Sequence, residues 1–249
     1  MFFTKEGEIV DAEGRSRRKG LVTILTGICK DSQYPFAIVV PTKGGGSFAV
    51  DAFTRLLNEL GWDKIVLHVD GENSMSNLLD KVQEKMHGKV TVRRSPRYSP
   101  QSMAEGEMIN GLLGGKIRTW LFDLSEKYAE KITPEHYLFP WIVRHCAWTL
   151  ARFHVNKMRT TAHKIIKGSD YVSELFALGE TVMGKYPRTK DMPKAAPRWV
   201  KGIYAGKTLN SDEHVLMTEA GSQTYRTVRR LPEGSQYQNA VLDGARGAP

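Results

Sequence analysis

Cysteine is scarce in this sequence, and long apolar runs are missing from it. The 249 residues include only two cysteines, Cys29 and Cys146, too few for a disulfide framework or a zinc finger. Both lie in apolar stretches, which predicts buried thiols in a reducing compartment. No apolar run approaches the ~18 residues of a membrane-spanning helix, and the start, MFFTKEGEIV, is too acidic for a secretory signal. We therefore expect an intracellular protein that has no membrane partner.

Acidic residues are outnumbered by basic ones. There are 36 Lys and Arg residues against 27 Asp and Glu residues, which gives a formal charge of +9. The hydrophobic fraction of 41% and charged fraction of 25% are ordinary for a globular protein and exclude disorder throughout. The length permits one large domain, or one domain with a small appendage. A basic surplus favours a polyanionic partner only where the charges cluster on one surface.

Strand-like and helix-like patterns alternate in the first half of the chain. Residues 5–20 are polar and predict an exposed loop, and residues 95–101 form a loop bracketed by prolines. Two β-branched runs, 21–29 and 34–40, predict an antiparallel hairpin. Further apolar patterns predict helices over 47–61 and 76–88, each ended by a glycine, and strands over 64–69 and 89–94.

The second half begins with two long helical patterns, over about 102–130 and over 132–157, the latter opening at a capping threonine. Glycines at 111, 114 and 115 are expected to weaken the first of them. From about Phe176, short strand-like pieces between turns predict a small β-unit. The predicted fold is therefore α/β, a mixed sheet flanked by helices and followed by a small C-terminal β-unit. The predicted domains are a core over 1–130, a helical extension over 131–175, a basic β-unit over 176–235 and a tail over 236–249.

Two carboxylates are candidates for chemistry. Asp70 ends a predicted buried strand, and Glu107 lies near the start of the long helix, with 36 residues between them. A strand–helix–strand–helix path of that length can return to the same sheet edge, where ligands of open α/β sheets bind. Converging carboxylates repel each other unless they are protonated or bind a metal such as Mg²⁺. The alternative is that Asp70 is a turn residue and Glu107 a solvated helix carboxylate. For acidic residues at turns and helix starts, that structural role is the more common one.

The residues around these carboxylates form a longer motif. The segments VLHVDGENS (66–74) and SPRYSPQSMAEGEMIN (95–110) resemble the integrase catalytic core of copia-type retrotransposons, which is retroviral integrase-like and belongs to the ribonuclease-H-like superfamily. In that family a strand ends in Asp-Gly, and a Pro-Gln-Ser segment leading to Glu-x-x-Asn follows. Gln101, Glu107 and Asn110 fall in this register. The resemblance covers roughly residues 20–230.

The resemblance carries expectations about fold and activity. It implies a ribonuclease-H-like fold in which Asp70 is the second metal-binding carboxylate and Glu107 the third. The cofactor would be Mg²⁺ (or Mn²⁺), the partner DNA, and the reaction DNA integration by strand transfer at phosphodiesters. The family acts as multimers in the nucleus, so it further implies a homo-oligomer and a nuclear location.

The chain departs from the family at the first carboxylate. The family's first strand would be residues 1–4, and the register places its Asp at or just before Met1, but residues 1–10 contain no Asp. Asp11 and Asp31 are poorly placed to substitute for it. We therefore expect impaired catalysis. An in-frame Asp codon just upstream of Met1 in the coding DNA would mean that Met1 is an internal methionine of a larger polyprotein. The alternatives are a catalytically silent retroelement remnant that only binds nucleic acid, and another nuclease of this fold that cleaves without joining.

Basic residues are concentrated in two stretches. Residues 89–120 contain six basic and two acidic residues, and residues 181–249 contain 11 basic and six acidic ones. In the first stretch we expect Gln101, Asn110, Lys116 and Arg118 to contact DNA. In the second, Arg226, Arg229 and Arg230 predict a strand with one basic face. Solvated basic surfaces that serve only solubility are the alternative for both stretches.

Overall fold

The computed structural model describes residues 2–3, 9–10, 21–41, 46–69, 73–87, 89–94, 104–187, 193 and 195–249. The helices are α1 (Ser47–Leu60), α2 (Asn73–Lys85), α3 (Ala104–Tyr128), α4 (Phe139–Phe153), α5 (Ala162–Lys167) and α6 (Asn239–Gly244). The strands are β1 (Phe2–Phe3), β2 (Ile9–Val10), β3 (Val22–Ile28), β4 (Pro35–Val40), β5 (Ile65–Val69), β6 (Val90–Arg94), β7 (Thr181–Lys185), β8 (Trp199–Lys207), β9 (His214–Thr218), β10 (Gly221–Tyr225) and β11 (Val228–Arg230). The protein is therefore a mixed α/β structure, as predicted.

The chain divides into two units. One unit comprises residues 1–114 and 147–170, and the other comprises residues 115–146 and 171–249. Helices α3 and α4 each contribute residues to both units. The sequence-derived domain boundaries, near residues 130, 175 and 235, stay a prediction.

The predicted hairpin is present in the first unit. Strands β3 and β4 pair antiparallel, with Ile24 opposite Val39, in a sheet of order β2-β1-β3-β4. Strand β1 pairs antiparallel with β3, which places Phe2 opposite Thr23. The expectation of a loop over residues 5–20 was wrong at Ile9–Val10, which form β2 against β1. A two-residue strand is too short to show the alternation by which strands are predicted.

Strands β5 and β6 form a parallel pair, with Ile65 opposite Val90 and Val69 opposite Arg94. Parallel neighbours cannot be joined by a tight turn, so the chain crosses over through α2, close to the predicted helix. Helices α1 and α2 bury their apolar faces with β4 and β6 in one core. Its buried members are Val40, Ala49, Val50, Phe53, Leu57, Leu78, Leu79, Val82, Met86 and Val90.

The second long helix begins later than its sequence pattern predicts. Instead of starting at residue 132, α4 starts at Phe139. The preceding residues form turns, in which the His136 amide donates to the Thr133 carbonyl at 2.9 Å and the Phe139 amide donates to the His136 carbonyl at 2.8 Å. Pro140 explains the difference, because proline has no amide hydrogen and is tolerated only in the first turn of a helix.

The second unit contains the predicted β-unit, a five-stranded antiparallel sheet of order β10-β9-β8-β7-β11. Its core consists of Phe176, Val182, Tyr204, Leu216, Tyr225 and Val228. Within residues 236–249, for which a tail is predicted, Asn239–Gly244 form α6. The Asn239 side-chain amide donates to the Tyr128 carbonyl at 3.1 Å, and the Trp141 indole donates to the Gly247 carbonyl at 3.1 Å. These contacts order a segment that has no periodic pattern of its own.

The two cysteines differ in environment. Cys146 is fully buried, and burial raises the pKa of its thiol to about 12. Cys29 is only half-buried, so the prediction of two buried thiols was correct for Cys146 alone. None of the helices that the structure describes is both long enough and apolar enough to cross a membrane.

Two glycines of the first unit give a matched test of the backbone. A Cβ at Gly111, within α3, and one at Gly61, which ends α1 with a φ of 70°, would both meet open space. We expect Gly111→Ala to raise the free energy of unfolding by about 0.5–1 kcal/mol, since Ala favours a helix interior. Gly61→Ala should lower it by about 1 kcal/mol, since left-handed backbone strains an L-residue. Urea unfolding measures both, and shifts of the same sign would contradict the assignment.

Candidate metal and nucleic-acid site

The candidate site follows the carboxyl ends of the two parallel strands. Strand β5 ends at Val69, directly before Asp70, and β6 ends at Arg94, directly before the segment that contains Gln101. Because the pair is parallel, both ends lie at the same sheet edge, where open α/β sheets bind ligands. Asp70 and Gln101 themselves lie outside the described residues, so their roles stay predictions.

Glu107 lies in the first turn of α3, and its side chain is exposed. A carboxylate there is favoured by the partial positive charge of the helix N-terminus. Its oxygens are the donor type that Mg²⁺ prefers, so the chemistry of this donor fits a hard divalent cation. The part of the chain that the structure describes contains no group of three or more His, Cys, Asp or Glu residues suited to a metal. The pairing of Glu107 with Asp70 stays a prediction.

The Asn110 side chain is held by strand β3 of the four-stranded sheet. The Thr26 hydroxyl on β3 donates a hydrogen bond of 2.7 Å to the Asn110 side-chain oxygen, across 84 positions of sequence. This partly buried bond ties α3 to the sheet three residues after Glu107. The predicted contact of Asn110 with DNA stays a prediction. The bond shows that this side chain also positions the helix that carries Glu107.

A second contact holds the first turn of α3. The Lys157 ammonium lies 2.8 Å from a Glu105 carboxylate oxygen, in an ion pair across 52 positions of sequence. The hydrogen bond from Lys157 lowers the pKa of Glu105, against the opposing effect of burial, and the charge of Lys30 lowers it further. Glu105 thus pairs with a lysine. Neither Lys157 nor Thr26 is marked by any local sequence pattern.

Lys116 and Arg118 lie farther along α3, and both are exposed. Neither forms an ion pair with a carboxylate among the described residues. Their charges are therefore open to solvent, as a contact with DNA phosphate requires. Their proposed role in DNA binding stays a prediction.

The predicted basic face near the C-terminus was wrong. Strand β11 contains only Val228–Arg230, so Arg226 precedes the strand and the adjacent residues 229 and 230 point to opposite faces. The Arg226 guanidinium pairs with Glu213 at 3.2 Å, and that of Arg230 pairs with Glu180 at 3.0 Å. The Arg229 guanidinium instead lies 5.0 Å from the centre of the Trp199 ring. The three arginines therefore occupy three different environments.

The Thr26–Asn110 bond can be measured by a double-mutant cycle. Thr26→Val and Asn110→Ala should each lower the free energy of unfolding by about 1 kcal/mol, because each leaves a partly buried polar group without its partner. The double variant should lose less than the sum of the two, since the same bond is removed twice. Urea unfolding of the four proteins gives the coupling energy, and strict additivity would show that the bond contributes nothing.

The Glu105–Lys157 pair predicts a pH dependence. The folded-state pKa of Glu105 is lowered from the ordinary value of 4.5, so the unfolded state binds more protons in acid. The pair's contribution to stability is therefore complete above pH 4.5 and is lost as the pH falls through the folded-state pKa. Lys157→Gln should destabilise the protein near neutral pH, and its difference from the native protein should shrink on acidification. Unfolding temperatures measured across this range test the prediction.

A matched control for that pH series is Lys164→Gln. Lys164 pairs with Asp170 at the same 2.8 Å distance, but the Asp170 side chain is 64% exposed, compared with 30% for Glu105. Solvent screening should make this exposed pair contribute less to the free energy of unfolding than the Glu105–Lys157 pair does. Equal effects of the two substitutions at every pH would contradict the assignment to Glu105.

Comparison with known proteins gave similarities to solved structures only. No protein-family model matches the chain, and no curated protein matches it. One similar structure is a chain of the simian T-cell lymphotropic virus intasome in complex with the PP2A regulatory subunit B56 gamma. It is 12% identical, with 86% of this chain and 74% of that chain covered and a TM-score of 0.47. Another is the catalytic core domain of BIV integrase, 16% identical, with 59% and 86% covered and a TM-score of 0.40. Both similarities are distant, and we therefore argue function from this chain's own residues.

Proposed function

We propose that this chain is an integrase-like protein of the copia type that acts on DNA phosphodiesters by strand transfer, with Mg²⁺ (or Mn²⁺) as cofactor. The observation that carries the proposal is the arrangement of the motif on the fold. Asp70 directly follows the parallel strand β5, and Glu107 lies exposed in the first turn of α3. A carboxylate that directly follows a parallel strand in sequence and one in the first turn of a helix are the residue types that metal-dependent phosphoryl transfer uses.

In this proposal Asp70 and Glu107 would hold the metal. When bound, a divalent cation would supply Lewis-acid stabilisation of the oxygens around the phosphorus. The cations of Lys116 and Arg118 would hold DNA phosphates, and Gln101 and Asn110 would orient the strand. The bonds from Thr26 and Lys157 would keep the first turns of α3 in place. Their effect on the rate would be large, since misplacement of a catalytic group by about 1 Å is costly.

We further propose that activity of this chain alone is weak. The family's first strand corresponds to residues 1–4, and strand β1 (Phe2–Phe3), which lies within them, contains no carboxylate. The same observation favours the second candidate function, a catalytically silent retroelement remnant that only binds nucleic acid. A nuclear location and assembly into a homo-oligomer belong to the integrase proposal.

The test is Mg²⁺-dependent nicking and strand transfer on a labelled DNA duplex. We expect weak activity that Asp70→Asn and Glu107→Gln each reduce at least 100-fold, since each removes a metal ligand. Glu126→Gln is the matched control, because Glu126 is an exposed carboxylate in the last turns of the same helix. It should leave the rate unchanged.

Each alternative has its own outcome in this assay. Salt-sensitive DNA binding without turnover would contradict strand transfer and support the silent remnant. Cleavage without joining would support another nuclease of this fold. Activity that is equally sensitive to Glu107→Gln and Glu126→Gln would contradict the assignment of Glu107.

A further inference from the structure

A small open cavity lies in the first unit, beside helix α5. Its lining consists of Tyr34, Leu60, Arg152, His163, Ile166 and Lys167, all of which belong to this unit. These residues come from the position directly before β4, the end of α1, the last turn of α4 and helix α5. The empty volume, including the part open to solvent, is about 260 Å³. We call this the Arg152 cavity.

The charged part of the lining is basic. The side chains of Arg152, His163 and Lys167 are the basic members, and none of the lining residues that the structure describes is acidic. The other members supply a phenol and apolar walls, which pack in a small cluster with Ala151 and Ala162. Apolar walls lower the local dielectric constant and so strengthen the repulsion between like charges. An anion that lies among these side chains stabilises their charged forms.

Arg152 is the buried cation of the set, with only 5% of the residue exposed. Its guanidinium lies 4.1 Å from the centre of the Trp148 ring, one turn earlier on α4, and donates to the Tyr34 hydroxyl at 3.4 Å. These contacts hold the guanidinium in one orientation, so little side-chain freedom is lost when a ligand binds. A guanidinium has five N–H donors in a rigid plane, a geometry that matches the oxygens of a phosphate group.

The other two cations are more accessible. Lys167 is exposed and His163 is half-buried, and their spacing of four residues places them on one face of α5. Lys167 forms no ion pair with a carboxylate among the residues that the structure describes, whereas Lys164 of the same helix is paired with Asp170. Lys167 thus supplies an accessible charge to the cavity, and Arg152 supplies a buried one.

We propose that the Arg152 cavity binds a small oxyanion of the phosphate class. The oxygens of the ligand accept charge-assisted hydrogen bonds from the Arg152 guanidinium and the Lys167 ammonium, which are stronger than bonds between neutral groups. Because Arg152 is almost completely buried, only a group small enough to enter the cavity reaches it. A phosphodiester of a nucleic-acid backbone has a sugar on each side and stays outside. Free phosphate and the phosphate of a monoester share the required chemistry.

This inference goes beyond the proposed strand transfer and needs neither Asp70 nor Glu107. Its consequence is structural, because the lining brings α5 together with the ends of α1 and α4. A ligand that binds only the folded state stabilises that state by mass action. Phosphate should therefore stabilise the first unit through the packing of α5.

The experiment is a phosphorus NMR titration of the full chain with orthophosphate, adenosine monophosphate and dimethyl phosphate. We expect orthophosphate to bind with a dissociation constant of about 1 mM, which a few charge-assisted hydrogen bonds supply after the cost of association. Dimethyl phosphate is a singly charged diester, as a backbone phosphate is, and should bind about tenfold more weakly. Comparable binding of adenosine monophosphate would identify monoesters as ligands, and binding of orthophosphate alone would identify the free ion.

The test variant is Lys167→Gln, which removes one charge-assisted bond and should weaken orthophosphate binding about tenfold. Because Lys167 is exposed, the variant should keep the fold, and its unfolding temperature in phosphate-free buffer shows whether it does. Lys164→Gln is the matched control. It removes the same charge from the same helix, but Lys164 is paired with Asp170 and does not line the cavity. It should change the affinity by less than about twofold.

Unfolding temperatures in rising phosphate give a second measurement. Phosphate stabilises folded proteins in general because it is excluded from their surfaces, so the native protein must gain more than Lys167→Gln does. Equal gains, or equal orthophosphate affinities of the two proteins, would overturn the proposal. So would equal affinities for orthophosphate and dimethyl phosphate. Unchanged orthophosphate binding together with weakened binding of a DNA duplex by Lys167→Gln would also overturn it and would assign this lysine to a DNA surface.

Discussion

The parallel pairing of β5 with β6 is the constraint on which the first unit depends. Because a tight turn cannot connect parallel neighbours, the chain must leave the sheet through α2 and return in the same direction. That crossover buries one face of α2 against the sheet and, with α1, forms the core of the unit. It also brings the carboxyl ends of both strands, Val69 and Arg94, to one edge of the pair.

The sequence predicts the elements whose hydrophobic pattern is long enough to be regular. Hairpin β3–β4, helix α1, strands β5 and β6 and helix α3 lie close to where their patterns predict them. The failures have physical causes. Strand β2 is too short to show a period, α4 is delayed by Pro140, and α6 is held by tertiary contacts that involve Tyr128 and Trp141. Composition and periodicity contain none of that information.

The candidate site was only partly predictable for a related reason. A motif of local residues identifies Asp70 and Glu107, but the contacts that position α3 join residues far apart in sequence. Thr26 reaches Asn110 across 84 positions and Lys157 reaches Glu105 across 52, and neither partner belongs to a motif. The environments of the basic residues in the β-unit could not be predicted from the sequence either. Their number can be counted from sequence, but whether a carboxylate neutralises each one depends on strand register and loop geometry.

The cysteines give the chain a practical property. Cys146 is fully enclosed and its thiol pKa is raised to about 12, so almost none of it is the reactive thiolate at neutral pH. Cys29, directly after β3, is partly accessible and packs beside Tyr34. A maleimide dye added to the folded native protein should therefore label one position. The hairpin that pairs with β1 thus provides a single spectroscopic reporter for the first unit, and no cysteine needs to be removed or introduced.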